Sequence, residues 1–158
     1  MRVLGIDPGT NITGYGIVEI QKGRITGLAF GEIKTPHASL PHCLKSIYDE
    51  LMLIVREWNP DAIAIEDVFY GKNVRSLIKQ GQARGVAMLV APHNNIPVYE
   101  YTPLEVKKAV VGYGRAEKSQ VQFMVKAILN LPEVPPVDAS DALAVAICHS
   151  HCMKAGPR

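Results

Sequence analysis

In the first third of the chain, apolar residues come in short runs and not at helical spacing. Val3 to Ile6 is a compact apolar run, and Thr13 to Ile20 is glycine-rich yet prone to extended structure. Gln21-Lys22-Gly23 supplies a turn into a third run, Arg24 to Ile33, so the pattern predicts a meander of three antiparallel strands. From Leu40 to Trp58 the period changes: Leu40, Leu44, Ile47, Tyr48, Leu51, Ile54 and Val55 share one helical face, closed by Asn59-Pro60. Ala62 to Ile65 reads as a buried strand, and a polar loop lies near Gly71-Lys72-Asn73. A second helix is expected over Val74 to Val90 and a fifth strand over Ile96 to Tyr101. Helices are expected over Pro103 to Val111, Ala116 to Asn130 and Ala139 to Cys152. The order predicts an α/β fold on a five-stranded mixed sheet, three antiparallel strands then parallel ones, with right-handed crossovers.

Composition narrows the setting. The 158 residues, 47% of them hydrophobic, suit one core, so residues 1–158 are expected to form a single domain. No apolar stretch is long enough to cross a bilayer, and Asp7 interrupts the N-terminal run too early for a secretory signal core. Cys43, Cys148 and Cys152 form no disulfide framework. A cytoplasmic protein with no membrane partner is therefore expected. The net charge of +2 conceals a division: residues 72 to 126 carry nine basic and three acidic side chains, the rest eight and twelve. A basic middle between acid-bearing ends suits a protein that attracts a polyphosphate and also holds divalent cations.

The acids with chemical potential stand where elements begin or end. Asp7 closes the first apolar run, with Pro8 favouring extended geometry before it and Gly9 permitting a sharp turn. Glu66 closes Ala62 to Ile65 in the same way, with Asp67 on the opposite side if the strand continues. Asp138 and Asp141, three residues apart at the start of the last helix, share a face and the positive end of its dipole. Taken singly, Asp7 is also an ordinary turn residue, Asp138 an N-cap and Asp141 a first-turn charge. Glu66 has no capping duty to explain it. If the two strands are neighbours the acids converge, and clustered carboxylates call for cations. Oxygen-only ligands favour Mg²⁺, with Mn²⁺ able to substitute, and two such ions about 4 Å apart serve in-line phosphodiester hydrolysis.

Several motifs resemble the RuvC family of bacterial Holliday-junction resolvases. They are Gly5-Ile6-Asp7-Pro8-Gly9-Thr10 with Thr13-Gly14-Tyr15-Gly16, Ala64-Ile65-Glu66-Asp67-Val68-Phe69, Gly81-Gln82-Ala83-Arg84-Gly85 and Val110-Val111-Gly112, then Glu117-Lys118-Ser119-Gln120-Val121 and Asp138-Ala139-Ser140-Asp141-Ala142-Leu143-Ala144. The resemblance runs from the first strand to the last helix. It implies an RNase H-like fold, a homodimer, and Mg²⁺-dependent cleavage of two symmetrically placed strands of a four-way DNA junction in recombination and repair. It further implies nicks with ligatable 5′-phosphates and partnership with the RuvA and RuvB branch-migration proteins. Asp7, Glu66, Asp138 and Asp141 match the family's metal-binding catalytic acids. Phe69 matches a base-contacting wedge, and Lys107 and Lys118 match lysines near the scissile phosphates. Lys72 and Arg75 are further DNA-binding candidates, with Lys79, Lys108 and Arg115 as general contributors of positive potential.

Val74, Leu77, Ile78, Gly81, Gly85 and Met88 form a stripe along the second helix. Two glycines there cost about 1 kcal/mol each relative to alanine, which points to a close helix contact, and Gly81, Gly85 and Met88 are candidates for a dimer seam. Cys148-His149-Ser150-His151-Cys152 lacks the ligands of a structural zinc site, so the cysteines read as apolar face residues, with His149 a candidate neighbour of Asp138. Rival readings are a phosphate-binding ATPase of the actin and sugar-kinase type, a YqgF-like nuclease and a junction binder that does not cut. The first needs two such lobes; the Phe69 loop and the Glu117-Lys118-Ser119-Gln120 stretch resemble RuvC and so weigh against the second; and the presence of all four acids weighs against the third.

Overall fold

The computed structural model describes residues 1–36, 38–68, 71 and 73–154. Its elements run β1 (Arg2–Asp7), β2 (Ile12–Gln21), β3 (Arg24–Lys34), α1 (Leu40–Trp58), β4 (Ala62–Glu66), α2 (Val74–His93), β5 (Val98–Tyr101), α3 (Pro103–Val111), α4 (Lys118–Leu129) and α5 (Val137–Lys154). The strands form one sheet in the order β3-β2-β1-β4-β5. β1 pairs antiparallel with β2, and β2 with β3, whereas β4 runs parallel to both β1 and β5. This is the mixed sheet expected from the apolar runs.

Alternation along the central strands divides the core in two. Leu4 and Ile6 of β1, Ile17 of β2 and Ile63 and Ile65 of β4 pack with α1 and α2 through Ile47, Leu51, Ala83, Ala87 and Val90. Val3, Val18 and Ala64 face the other way, onto α3, α4 and α5. Burying each large aliphatic side chain is worth about 1.5–3 kcal/mol. A one-residue slip of β1 or β4 would move that whole set to the wrong face, so the register is firmly specified.

α5 is the central helix of the second layer. Every residue from Ala142 to Ser150 is buried, between the sheet on one side and α3 and α4 on the other. Such a helix carries no polar face, and its alanines keep it slim enough to lie between two layers. No helix among the described residues is long and apolar enough to cross a membrane.

Some boundaries move from their expected places. α2 runs past Val90, through Pro92 to His93, and ends where the Asn94 side-chain amide donates to the Val90 carbonyl at 2.7 Å. β5 starts at Val98, two residues later than the apolar run suggests. Glu117 and Gln120 form a reciprocal capping box, so α4 starts at Lys118. α5 starts at Val137, which puts Asp138 inside the first turn and not at the N-cap.

Candidate active site

The sheet places the first two acids side by side. Gly5 pairs with Ala64 and Ile6 with Ile65 in parallel register, so the next positions, Asp7 and Glu66, close neighbouring strands at the same end. Asp7 has the parity of Val3, and Glu66 that of Ala64, which directs both carboxylates to the α5 face of the sheet. The turn after Asp7 is pinned by buried Thr13. Its hydroxyl donates to the Gly9 carbonyl at 2.8 Å and accepts the Gly9 N–H at 3.2 Å.

Three glycines bring the other two acids in. Gly14 lies opposite Asp7 in the β1–β2 ladder, and Gly5 lies opposite Gly16. A β-carbon on Gly14 would stand 1.9 Å from the Asp138 carbonyl oxygen, and one on Gly5 would stand 2.0 Å from that of Ala142. On Gly16 it would meet the Leu143 side chain at 2.5 Å. The glycines thus form a flat floor on which α5 rests its backbone, with Asp138 beside the ends of β1 and β2. Asp138 and Asp141 are half-buried there, and Asp141 is the one residue between Ala139 and Ser150 that is not fully buried.

Asp7 senses the other three carboxylates. Burial, and then the charges of Glu66, Asp141 and Asp138, hold the Asp7 carboxyl well above its ordinary range, with Lys118 pulling the other way. Burial also raises Asp141, opposed by Lys118, whose ammonium lies 3.7 Å from the Asp141 carboxylate. Lys118 is largely exposed, so this pair adds little to stability and leaves the cation free to meet a ligand.

The acids open onto a cleft of about 650 Å³ that is also lined by Thr10, Asn11, Ser76, Lys79, Lys107 and Lys118. Half-buried carboxylates gathered in one cleft, with lysines only at the rim, suit hard divalent cations, which prefer oxygen ligands and would relieve the repulsion on Asp7. Electrostatic coupling reaches further than ligation does. Among the described residues no three His, Cys, Asp or Glu side chains close on a common point as a formed metal centre would. The donor set therefore fits Mg²⁺ or Mn²⁺ in chemistry, in an open arrangement that ligation would tighten.

Lys107 and Lys118 both line the cleft. Arg75 does not: it is exposed on the first turn of α2, and Lys79, one turn on, reaches the cleft in its stead. Phe69 and Lys72 lie outside the described residues. Gly81 and Gly85 face open space, and Val74, Ile78 and Leu89 extend their stripe as exposed apolar side chains. Met88 instead packs partly buried against the core beneath α2. His149 is no neighbour of Asp138. It is buried against β5, its ring tilted 40° to that of Tyr99 with ring centres 4.4 Å apart, with its Nδ1 2.8 Å from the Tyr101 hydroxyl. Asp67 and Gln80 line the cleft without having been candidates. Only the position of Asp67 directly after Glu66 could have flagged it.

Residues 3–149 match the family described as crossover junction endodeoxyribonuclease RuvC. The chain belongs to this family. It is 54% identical over 153 residues to the RuvC of Alkaliphilus oremlandii, a match covering 96% of this chain and 93% of that protein. It is 55% identical over 153 residues to the RuvC of Syntrophotalea carbinolica, covering 96% and 95%. The structure of Thermus thermophilus RuvC in complex with Holliday junction substrate superposes with a TM-score of 0.92 at 33% identity, over 99% of this chain and 96% of that one. The five-stranded mixed sheet with its flanking helices is therefore the RNase H-like fold of the RuvC endonucleases.

Proposed function

We propose that this protein cuts four-way DNA junctions by paired, divalent-metal-dependent hydrolysis, acting as a single RNase H-like nuclease domain. The observation that carries the proposal is the convergence of Asp7 and Glu66 on strand ends with Asp138 and Asp141 on α5, in a cleft rimmed by Lys107 and Lys118. Membership of the RuvC family, and the complex of its Thermus thermophilus relative with Holliday junction substrate, support the choice of substrate.

In this reading Asp7, Glu66, Asp138 and Asp141 hold Mg²⁺, with Mn²⁺ a substitute and two ions per site. Bound cations of this kind supply an activated water and stabilise the leaving oxygen of in-line displacement at phosphorus. Burial holds the Asp7 and Asp141 carboxyls above their ordinary range, and bound cations would favour their charged forms. Lys107 and Lys118 hold the scissile phosphate at the rim and oppose the negative charge that develops on it. Lys79, Arg75 and Lys72 add positive potential along the approaching backbone. Phe69 serves as a wedge against a base at the crossover. Breaking the P–O3′ bond leaves a 5′-phosphate and a 3′-hydroxyl that a ligase can seal.

Symmetric incision calls for two active sites, and the exposed stripe of Val74, Ile78, Gly81, Gly85 and Leu89 on α2 is the seam proposed for a homodimer. The proposed setting is the cytoplasm, in recombination and repair beside RuvA and RuvB. The test is cleavage of a synthetic four-way junction and of a linear duplex of the same sequence, with and without Mg²⁺. Paired cuts in the junction that need Mg²⁺ are expected. Equal cutting of the duplex, or cutting that persists in a chelator, would overturn the proposal.

A further inference from the structure

Glu66 is followed at once by a second acid, and the two are held very differently. The Asp67 N–H donates to the Tyr101 carbonyl of β5 at 2.8 Å, and the Asp67 carboxylate accepts the Val68 N–H at 2.8 Å. That same carboxylate oxygen lies 3.5 Å from a terminal guanidinium nitrogen of Arg84 on α2, which is also paired with Glu100 on β5. The Arg84 side chain is only 16% exposed while Asp67 and Glu100 are 43% and 49% exposed, so the guanidinium is the packed member of the three and its partners reach it from the surface. One turn earlier on α2, Gln80 lines the cleft beside Asp67. Its Oε1 and the Arg84 Nε, a complementary acceptor and donor, are both buried without a hydrogen-bond partner among the described residues. Arg84 thus joins α2, the end of β5 and the residue after Glu66 at one point.

Left unpaired, Asp67 would add a fifth negative charge to a cleft whose four acids already repel one another, and it could swing toward the cations meant for Glu66. We propose that Arg84 is a positioning residue that acts through Asp67, fixing the end of β4 so that Glu66 faces the cations and holding the Asp67 carboxylate out of the cation-binding set. The proposal rests on the reading of Glu66 as a cation-holding acid. Partners that orient a ligand in this way commonly contribute about 10–100-fold to metal affinity or activity.

The test compares full-length wild type with Arg84→Met, Asp67→Asn, the double variant and Arg84→Lys. Mn²⁺ affinity is measured by calorimetry, junction cleavage by single-turnover rate and folding by melting temperature. Each of Arg84→Met and Asp67→Asn should weaken Mn²⁺ binding by about 10–100-fold and slow cleavage, with junction affinity retained. The double variant should be no worse than the more damaged single, because both changes break one linkage. Arg84→Lys should recover part of the loss. Asp67→Asn, close in shape to the natural residue, keeps the test decisive if Arg84→Met fails to fold. Losses that multiply in the double variant, or unchanged Mn²⁺ affinity in both singles, would overturn the role of Arg84 while leaving the four-acid site standing. A wild-type protein that neither binds Mn²⁺ nor needs a divalent cation to cut would overturn both.

Discussion

Asp7 and Glu66 stand on neighbouring strands whose ends are fixed by ladder hydrogen bonds, whereas Asp138 and Asp141 stand on a helix that meets those strands by packing alone, with its backbone closest over glycines. The first pair is set by local register. The second is set by the shape of a floor whose residues lie more than 120 positions away in the chain. Half of the site is therefore as rigid as the sheet, and the other half depends on how closely α5 can approach it.

The strongest way to break this comparison is to remove one rigid acid. Asp7→Asn should slow junction cleavage by at least about 10²-fold while leaving junction binding intact. Without metal the same variant should melt a few degrees above wild type, because it removes a carboxyl whose charged form is destabilised by burial and then by Glu66, Asp141 and Asp138. Normal cutting by Asp7→Asn would remove that residue from the site.

Gly14→Ala probes the other half without touching an acid. The added methyl group collides with the Asp138 carbonyl and must push α5 outward, and a shift of about 1 Å in a catalytic group can cost about 10²-fold in rate. Overpacking should also lower stability by about 1–3 kcal/mol. Gly27→Ala, where the nearest atom is the flexible Leu131 side chain at 3.0 Å, should leave cleavage nearly unchanged. Equal losses from the two substitutions would mean that the seating of α5 does not set the site.

A smaller effect should be visible in the pH dependence of metal-free stability. Asp7 holds its proton more tightly in the folded protein than at its ordinary value of 3.8, so at pH values above the raised folded value the folded state carries the cost of ionising it. The advantage of Asp7→Asn over wild type should be greatest at pH values above the raised folded value. It should shrink as pH falls through the raised folded value toward 3.8, where the carboxyl is protonated both folded and unfolded. An advantage independent of pH would contradict the electrostatic origin.

The smallest effect concerns α2. Gly81 faces open space, so alanine there should favour the helix by about 1 kcal/mol within one protomer. At the proposed seam the same methyl group should weaken self-association, read by sedimentation over a range of concentrations. An unchanged or tighter dimer would remove Gly81 from the seam.

The strand-borne half of the site was legible in the sequence, because an apolar run that ends on a carboxylate reveals both the element and its terminus. Asp7 and Glu66 could be placed at strand ends from the pattern alone, and the sheet then made them neighbours. The approach of α5 was not legible. Gly5 read only as part of an apolar run, and Gly14 and Gly16 as part of a glycine-rich segment prone to extended structure; only the tertiary fold shows that their missing side chains make room for Asp138 and Ala142. His149 was misplaced for a related reason. Its environment comes from Tyr99 and Tyr101 on β5, which nothing on its own helix announces. The link between Asp67, Arg84 and Glu100 was hidden in the same way, since its three charges sit on three elements.

The most direct test of the central claim, that two strand acids and two helix acids make one cation site, is Mn²⁺ binding measured by calorimetry on wild type and on Asp7→Asn, Glu66→Gln, Asp138→Asn and Asp141→Asn. The account predicts that each substitution, on strand or helix, weakens Mn²⁺ binding relative to wild type. Wild-type affinity in both helix variants would contradict it, leaving Asp138 and Asp141 outside the site.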